Sequence, residues 1–236
     1  MQASVANTWK EHAISEQIPL HVRDLGRMEY NAALELQYEL VEKRAAEQIG
    51  DTLLLVEHPP VITMGRKATS DDILVADAVL NQAGATVHRI TRGGEATYHG
   101  PGQIVGYAII NLYNHQRKLR QFVERMEEVF IELLADEYGL EAGRDPVHRG
   151  VWTGDEKITA VGIAVSRAIT MHGFAFNVDP DLSHFSWIVP CGIRDKGVTS
   201  LRALLEAQGR TLPPMEAVKE QVVKHFCSVY GYRPER

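Results

Sequence analysis

The fold is decided by residues 150–178, which read GVWTGDEKITAVGIAVSRAITMHGFAFNV. Three segments of this stretch, residues 150–153, 158–165 and 169–178, are rich in apolar and β-branched residues and are typical of strands. The link Gly-Asp-Glu-Lys, residues 154–157, predicts a turn that joins the first two strands as a hairpin. Consecutive strands with short links pair in antiparallel fashion, so the sequence predicts a sheet that is at least partly antiparallel.

The rest of the chain adds strands and helices around this stretch. Further apolar runs between turn signals predict strands at residues 18–25, 52–57, 61–64, 86–90 and 104–112. Apolar residues at helical spacing predict helices at residues 28–49, 76–83, 117–140, 201–208 and 215–230. Strands outnumber helices, which favours an α+β fold with a mixed, largely antiparallel sheet flanked by helices over a doubly wound parallel sheet.

Length and composition limit the class of protein. The 236 residues suit one domain, and we expect a loose extension at residues 1–17 followed by a single domain at residues 18–236. The formal net charge of −6 argues against general nucleic-acid binding. Apolar runs are too short to span a membrane, and residues 1–17 do not resemble a secretory signal. With only two cysteines, a disulfide scaffold is excluded and the cytoplasm is the expected location.

One of the two cysteines, Cys191, is a candidate nucleophile. It stands between Pro190 and Gly192, residue types that present a side chain on a turn. A lysine beside the thiol would stabilise the thiolate, the nucleophilic form, and Lys157 is the candidate for that role. The ordinary alternatives are an inert buried thiol and a solvent-exposed turn lysine. The second cysteine, Cys227, lies in a helical pattern and is expected to fill space.

A glycine-rich stretch, residues 92–103 (RGGEATYHGPGQ), is the second candidate feature. It lacks the Gly-Lys-Ser/Thr ending of a phosphate loop, and its glycines are spaced wrongly for a dinucleotide fingerprint. One reading is a hairpin with glycine turns. The other is a wall of exposed backbone N–H groups that orients an acyl carbonyl, together with the side chains of Arg92, Thr97, Tyr98 and His99.

Positive charge concentrates around both candidate features, on Arg66, Lys67, His88, Arg89, Arg92 and His99 and on Arg149, Lys157, Arg194 and Lys196. These side chains are either ordinary solvated loop charge or a positive mouth for an anionic partner. His172 is expected to shape the site. Zinc-ligand spacings and the Gly-x-Ser-x-Gly motif are missing from the sequence, so neither a metal nor a serine triad is expected. The residues therefore favour acyl transfer through a cysteine thioester.

Four ordered motifs resemble the lipoyl(octanoyl) transferases, in the superfamily of biotin and lipoate protein ligases. They are residues 92–103, residues 157–162, residues 172–178 with 181–183, and residues 190–193 with 198–201. The resemblance implies a biotin/lipoate ligase-like catalytic domain in which Cys191 carries the acyl thioester and Lys157 lowers its pKa and shuttles protons. It implies substrate contacts from Arg92, Gly93, Gly94, Glu95, Ala96, Thr97, Tyr98, His99, Ala160, Val161, Gly162, Gly173, Phe174 and Ala175.

The resemblance also implies the reaction and its partners. An octanoyl group passes from acyl carrier protein to a lysine of lipoyl domains, in 2-oxoacid dehydrogenases and in the glycine cleavage H protein, without a cofactor or metal. A monomer is expected. Two departures from the family pattern are visible: Phe176 stands where Leu is frequent and is expected to narrow the acyl channel, and His184 stands where Pro is common.

Three alternatives to this reaction stay open. An ATP-dependent lipoate or biotin ligase of the same fold would use Lys157 on a phosphate and would not need Cys191. A non-catalytic module would only bind acyl carrier protein or lipoyl domains. A thioesterase would pass the acyl group to water.

Overall fold

A large mixed sheet forms the centre of the molecule. The computed structural model describes residues 18–189 and 196–235. Within these ranges the large sheet has nine strands, β12-β1-β2-β6-β10-β9-β8-β7, with β11 paired to β9. Their bounds are β1 Ile18–Arg27, β2 Asp51–Glu57, β6 Gln103–Ile109, β7 Gly143–Arg144, β8 Val151–Thr153, β9 Glu156–Ser166, β10 Ile169–Asn177, β11 Gly197–Val198 and β12 Tyr232–Glu235.

A smaller sheet packs beside the large one and carries the glycine-rich stretch. In the described part of the chain it has three strands in the order β4-β3-β5, with β3 Val61–Met64, β4 Thr86–Arg89 and β5 Ala96–His99. Strand β3 runs parallel to β4 and antiparallel to β5. The apolar side of this small sheet packs on residues of the 3₁₀ turn Leu182–Trp187.

Helices cover both faces of the large sheet. On one face α3 (Leu119–Tyr138), α4 (Leu201–Glu206) and α5 (Met215–Tyr230) pack over Phe174 and Phe176 of β10. On the other face α1 (Tyr30–Ala45) packs over Met171 and Ala175. Alternate residues of a strand point to opposite faces, and β10 is buried along its whole length because both of its faces are covered. The short helix α2 (Asp77–Gln82) lies beside the small sheet.

The predicted fold class is confirmed. Parallel pairing is limited to β1 with β2 and β12, β3 with β4, and β9 with β11, and the remaining strand pairs of the described residues are antiparallel. The sequence missed β5, β7, β11 and β12. Strands β7 and β11 have two residues each, too short for an alternation, and β12 contains Pro234, which is tolerated at the sheet edge.

The placement of Lys157 in a turn was wrong. The turn between β8 and β9 contains only Gly154 and Asp155, and Lys157 is the second residue of β9. A strand position makes the side chain point to one defined face of the sheet, and only 7% of Lys157 is exposed. None of the helices in the described ranges combines the length and the apolar character that crossing a bilayer requires.

Candidate active site

A cavity of about 370 Å³ lies where the glycine-rich stretch crosses the middle of β9 and β10. The start of α3 and the loop between β7 and β8 complete its wall. The lining residues are Tyr30, Lys67, Ile90, Arg92, Gly93, Gly94, Glu95, Thr97, His99, Val105, Tyr107, Leu119, Val123, Val147, His148, Arg149, Lys157, Ala160, Val161, Gly162, Ile163, His172, Gly173, Phe174 and Ala175. The three sequence segments that were singled out separately, residues 92–99, 157–162 and 172–175, therefore meet at one place.

Two of the expected substrate contacts, Ala96 and Tyr98, do not line this cavity. Strand β5 directs Thr97 and His99 toward the cavity and the alternate residues away from it. Ala96 and Tyr98 belong instead to the apolar cluster under the small sheet, and the Tyr98 hydroxyl lies 2.8 Å from Nδ1 of His184. The interpretation of residues 92–103 as a wall of backbone N–H groups gave no reason to divide its side chains between two faces.

Lys157 lies at one end of the cavity, against an aromatic ring. Its Nζ is 4.7 Å from the centre of the Trp152 ring on the neighbouring strand β8. An ammonium over the face of an indole is attracted by the negative face of the ring. Lys196 approaches the same ring, with its Nζ 5.1 Å from the ring centre. Two lysine ammonium groups therefore lie about 5 Å from the centre of one ring.

The expected nucleophile, Cys191, lies outside the described residues. The described residues end at Val189 and begin again at Lys196, which is followed directly by β11. In β11 Val198 is the register partner of Lys157, and the backbone N–H of Thr199 donates to the carbonyl oxygen of Lys157 over 3.0 Å. The chain that follows Cys191 therefore runs along the strand that carries Lys157.

Gly150 makes room for the Lys157 side chain. Its φ is +120°, and a Cβ there would lie 2.4 Å from the carbonyl oxygen of Thr159 and 3.4 Å from Cδ and Cε of Lys157. Only glycine fits such a conformation and such a close approach. The backbone N–H of Gly150 donates to Oε1 of Glu127 over 3.0 Å, and the Glu127 carboxylate is nearly fully buried beneath this loop.

Asp145 joins the same loop to Lys196. Its Oδ2 lies 2.6 Å from Nζ of Lys196, and its Oδ1 accepts from the backbone N–H groups of Val147 and His148 over 2.8 and 2.7 Å. The hydrogen bond from Lys196, followed by those from the backbone, holds the pKa of the Asp145 carboxyl well below its usual range. Glu127 and Asp145 were both missed from the sequence, because a carboxylate on a helix or a loop is typical of a solvated surface.

Part of the positive charge near the cavity is paired or buried. Lys196 is paired with Asp145 and Asp155, and Arg92 is buried, with its Nη2 donating to the backbone oxygen of Thr63 over 2.8 Å. The exposed Lys67 and the half-exposed Arg149, whose Nη1 lies 3.8 Å from Oε2 of Glu127, are at the rim with the exposed apolar side chains of Leu119 and Val147. Arg194 lies outside the described residues. The rim of the cavity therefore carries two positively charged and two exposed apolar side chains.

At the other end of the cavity the buried histidine and tyrosine side chains are neutral at neutral pH, and they lie near the Arg92 guanidinium. Burial lowers the pKa of His172 to about 4, and burial together with the nearby His58 lowers the pKa of His99 to about 3. Burial also raises the pKa of the Tyr30 and Tyr107 hydroxyls. His172 has a positive φ of 59° within β10, and its backbone N–H donates to Oε1 of Gln37 over 2.8 Å. His172 thus shapes the cavity from a fixed position.

The expectation that Phe176 narrows the channel was wrong. Phe176 points into the core beneath α3, with its ring centre 5.1 Å from that of Phe130, and it does not line the cavity. Its neighbour Ala175 faces the cavity instead. In the described ranges, no group of three or more His, Cys, Asp or Glu side chains is arranged to hold a metal ion.

Comparison with known proteins places this chain in a family. The family model of the lipoyl protein ligase A/B catalytic domain matches residues 29–227. An octanoyltransferase of Caldicellulosiruptor bescii is 50% identical over 213 residues, which cover 90% of this chain and 92% of that protein. The mitochondrial octanoyltransferase LIP2 of Arabidopsis thaliana is 42% identical and covers 90% of this chain and 89% of its own length.

Solved structures share the fold at much lower sequence identity. Ta0514 of Thermoplasma acidophilum, a putative lipoate protein ligase, superposes with a TM-score of 0.69 at 16% identity, covering 91% of this chain and 87% of its own. A lipoate-protein ligase A bound with ATP has a TM-score of 0.67 at 15% identity, covering 93% of this chain and 89% of its own. These likenesses support the fold alone.

Proposed function

Because this chain belongs to the lipoyl protein ligase A/B catalytic domain family and is an acyltransferase, we propose that it transfers an octanoyl group from acyl carrier protein to a lipoyl-domain lysine through a thioester on Cys191. The observation that carries the reaction is the 50% identity to an octanoyltransferase along nearly the whole of both chains. The catalytic domain in this proposal is residues 18–236, and residues 1–17 precede it. We also propose that the protein is a monomer and that it is located in the cytoplasm.

The proposed reaction has two steps that share one nucleophile. In the first step the Cys191 thiolate attacks the carbonyl carbon of the octanoyl thioester, and the carrier leaves as its thiol with a proton from Lys157. In the second step the acceptor lysine attacks the enzyme thioester, its amine proton passes to Lys157, and Cys191 leaves as the thiolate. The donor is already a thioester, so the reaction needs neither ATP nor a metal.

The position of Lys157 supports its role as the partner of Cys191. An unperturbed thiol has a pKa near 8.5, so only a few per cent of it is thiolate at neutral pH. A neighbouring ammonium that lowers the pKa by roughly two units would stabilise the thiolate by about 2.7 kcal/mol. Lys157 is buried in a partly apolar setting, where an ammonium acts on a nearby anion more strongly than it does in water.

Chain geometry is compatible with a contact between the two residues. Lys196 and Lys157 both lie about 5 Å from the centre of the Trp152 ring. Cys191 precedes Lys196 by five residues, a length of chain that spans at most about 17 Å when fully extended. Val198, two residues after Lys196, pairs with Lys157 itself. The length of chain between Cys191 and Val198 therefore permits a contact between Cys191 and Lys157.

The cavity supports an acyl chain as the group transferred. Small and branched apolar side chains line it between Lys157 and His172, namely Val105, Ala160, Val161, Ile163 and Ala175. An octanoyl tail buried against them would contribute on the order of 5 kcal/mol, at about 0.8 kcal/mol per methylene. Among the expected substrate contacts, Ala96 and Tyr98 would act from behind the wall, and the others would contact the substrate directly.

The positive charge at the rim of the cavity supports the proposal that the acyl donor is an acidic protein. Acyl carrier proteins are acidic as a class, and Lys67 and Arg149 offer opposite charge at the cavity mouth. Complementary charge at a rim mainly raises the rate of association, while Leu119 and Val147 supply apolar contact area. Lipoyl domains, of 2-oxoacid dehydrogenases and of the glycine cleavage H protein, would dock at the same mouth in the second step.

A transfer assay without nucleotide tests the proposed function. Octanoyl carrier labelled in the acyl group is incubated with the protein and a lipoyl domain, and label is followed into the domain. We expect label on the acceptor lysine without ATP, and none when that lysine is replaced by alanine. Label that appears only when free octanoate and ATP are supplied would indicate a ligase, release of free octanoate a thioesterase, and no turnover a binding module.

A further inference from the structure

A row of buried polar side chains connects the glycine-rich stretch with the strand beside Lys157. It runs from Arg92 at the cavity wall through the side chains of Thr63, His99, Gln103 and Asn177 to the backbone of Thr199. Each of these residues is at most 8% exposed. The row crosses from the small sheet into the large one, between β5 and β6.

The first half of the row joins Arg92 to Gln103. Nη2 of Arg92 donates to Oγ1 of Thr63 over 3.0 Å, and this Oγ1 lies 3.3 Å from Nε2 of His99. On the other side of the ring, Nδ1 of His99 lies 2.7 Å from Oε1 of Gln103. Both ring nitrogens of His99 are therefore engaged within the protein.

The second half joins Gln103 to Lys157. Nε2 of Gln103 donates to Oδ1 of Asn177 over 2.8 Å, and Nδ2 of Asn177 donates to the carbonyl oxygen of Thr199 over 3.0 Å. Thr199 in turn donates its backbone N–H to the carbonyl oxygen of Lys157 over 3.0 Å. The row thus ends on the residue that is proposed to activate the nucleophile.

The Thr199 end of the row fixes the direction of every hydrogen bond in it. The carbonyl oxygen of Thr199 can only accept, so Asn177 must turn its NH₂ group toward it and its oxygen toward Gln103. Gln103 must then present NH₂ to Asn177 and its oxygen to His99, which has to carry its proton on Nδ1. Nε2 of His99 accepts from the Thr63 hydroxyl, and the same hydroxyl oxygen accepts from Arg92, which can only donate.

The direction of the bonds assigns a role to His99. A histidine with both nitrogens occupied by protein groups does not exchange protons with a substrate, although its ring faces the cavity. Burial lowers its pKa to about 3, so the ring stays neutral and the row stays intact at neutral pH. His99 therefore links the two sheets through its hydrogen bonds and does not act as an acid or base.

We propose that Thr63, Gln103 and Asn177 are positioning residues for acyl transfer, which hold the Arg92 wall of the cavity and the strand of Lys157 at a fixed distance through the Nδ1–H tautomer of His99. This inference rests on the proposed transfer reaction. Neither Gln103 nor Asn177 lines the cavity, so their effect on the reaction is exerted through the groups that they hold.

The variant Asn177→Asp tests the last link of the row. The carboxylate still accepts from Gln103, but its second oxygen faces the carbonyl oxygen of Thr199, where an N–H is required. A buried hydrogen-bonding group left unsatisfied costs enough to expect a loss of roughly tenfold in kcat, with KM for the octanoyl carrier changed less than twofold. A KM that rises while kcat stays unchanged would contradict the positioning role.

Thr170→Val is the matched control. Thr170 lies on the same strand β10, is fully buried, and donates to the carbonyl oxygen of Ala108 over 2.6 Å, but it is not part of the row. Loss of this hydroxyl is expected to lower the midpoint of urea unfolding, while kcat stays within twofold of the wild-type value. Equal losses of kcat in both variants would mean that any damage to β10 slows the reaction, and the inference would fall.

The tautomer of His99 is measured in the unsubstituted protein. The ¹⁵N shifts of the histidine rings, assigned with His99→Gln, should show His99 with its proton on Nδ1 at pH 7. A proton on Nε2 would overturn the inference even if octanoyl transfer proceeds normally. Absence of transfer by the wild-type protein together with an Nδ1–H tautomer would refute the proposed reaction and leave the row as a purely structural feature.

Discussion

Nζ of Lys157 lies 4.7 Å from the centre of the Trp152 ring, so the ammonium at the end of the cavity is held by an aromatic face. The ring is fixed in turn, since its Nε1 donates to the carbonyl oxygen of His148 over 3.2 Å. Lys196, the first described residue after the expected nucleophile, lies over the same ring. Trp152 therefore contacts both Lys157, the proposed general acid–base residue, and Lys196, the described residue that follows the segment containing Cys191.

The first prediction concerns this ring. Trp152→Leu removes an attraction of about 0.5 to 2 kcal/mol for Lys157 and should lower kcat by up to about tenfold. Trp152→Phe keeps an aromatic face and should recover most of the rate. Steady-state transfer kinetics of the two variants measure the difference. Equal rates for Leu and Phe would show that the ring merely fills space.

The second prediction concerns the ammonium itself. Lys157→Ala should move the alkylation of Cys191 by iodoacetamide to higher pH, because the thiolate loses its stabilising charge. The measurement is the alkylation rate against pH in a Cys227→Ala background. In the unsubstituted protein Cys227 is buried, and burial raises its pKa to about 11, so it would react slowly with iodoacetamide. The Cys227→Ala background removes even this contribution. An alkylation profile that is the same with and without the lysine would remove the assigned role.

The third prediction uses a matched pair of glycines. Gly150→Ala forces a side chain into a φ of +120° and against the Thr159 carbonyl, so it should displace Lys157 and reduce transfer more than tenfold. Gly139→Ala also has a positive φ, at the end of α3, but a Cβ there meets no atom within 4 Å. It should cost about 1 kcal/mol of stability without changing kcat. Transfer rates and urea unfolding of both variants distinguish local strain from a displaced site.

The fourth prediction is a loss of stability in mild acid. Burial lowers the folded-state pKa of His99 to about 3 and of His115 and His172 to about 4, below the 6.5 of a free histidine. As the pH falls from 6.5 to 5, the unfolded chain therefore binds protons that the folded chain does not. The free energy of unfolding should drop, with each such histidine contributing a slope of up to about 1.4 kcal/mol per pH unit.

The contribution of one histidine is isolated by His115→Gln, which lies away from the cavity and contacts the Tyr232 hydroxyl. Urea unfolding at several pH values should give a shallower pH dependence for this variant than for the wild type. A slope that does not change would contradict a neutral, buried His115.

The fifth prediction concerns the rim. Reversal of charge in Arg149→Glu or Lys67→Glu should raise KM for the octanoyl carrier several-fold and weaken its dependence on salt, because carrier docking loses electrostatic attraction. Arg233→Glu, on the exposed edge strand β12 at the other end of the large sheet, is the control and should leave KM unchanged. Equal effects at all three positions would indicate a response to total charge only.

The sequence predicted the features that depend on local pattern. The paired strands β8, β9 and β10 and the long helix α3 follow from apolar periodicity, and residues 157–162 and 172–175 were brought to one site by that pairing. It could not divide the glycine-rich stretch into a strand with two faces, and so it assigned Tyr98 to the substrate when the hydroxyl faces His184.

Supporting charges were the other features that could not be predicted from sequence. Glu127 and Asp145 act through contacts with Gly150 and Lys196, which are distant in sequence and meet only after the sheet forms. The row from Arg92 to Thr199 likewise uses side chains from four strands, and each of its members alone has the composition of an ordinary polar residue.

The most direct test of the account is the mass of the intact protein after incubation with octanoyl carrier and no acceptor. We expect a gain of one octanoyl group, which hydroxylamine removes and which Cys191→Ala abolishes. An octanoyl adduct of the same mass on the Cys191→Ala protein, or transfer to a lipoyl domain at the wild-type rate without Cys191, would contradict a thioester at this residue.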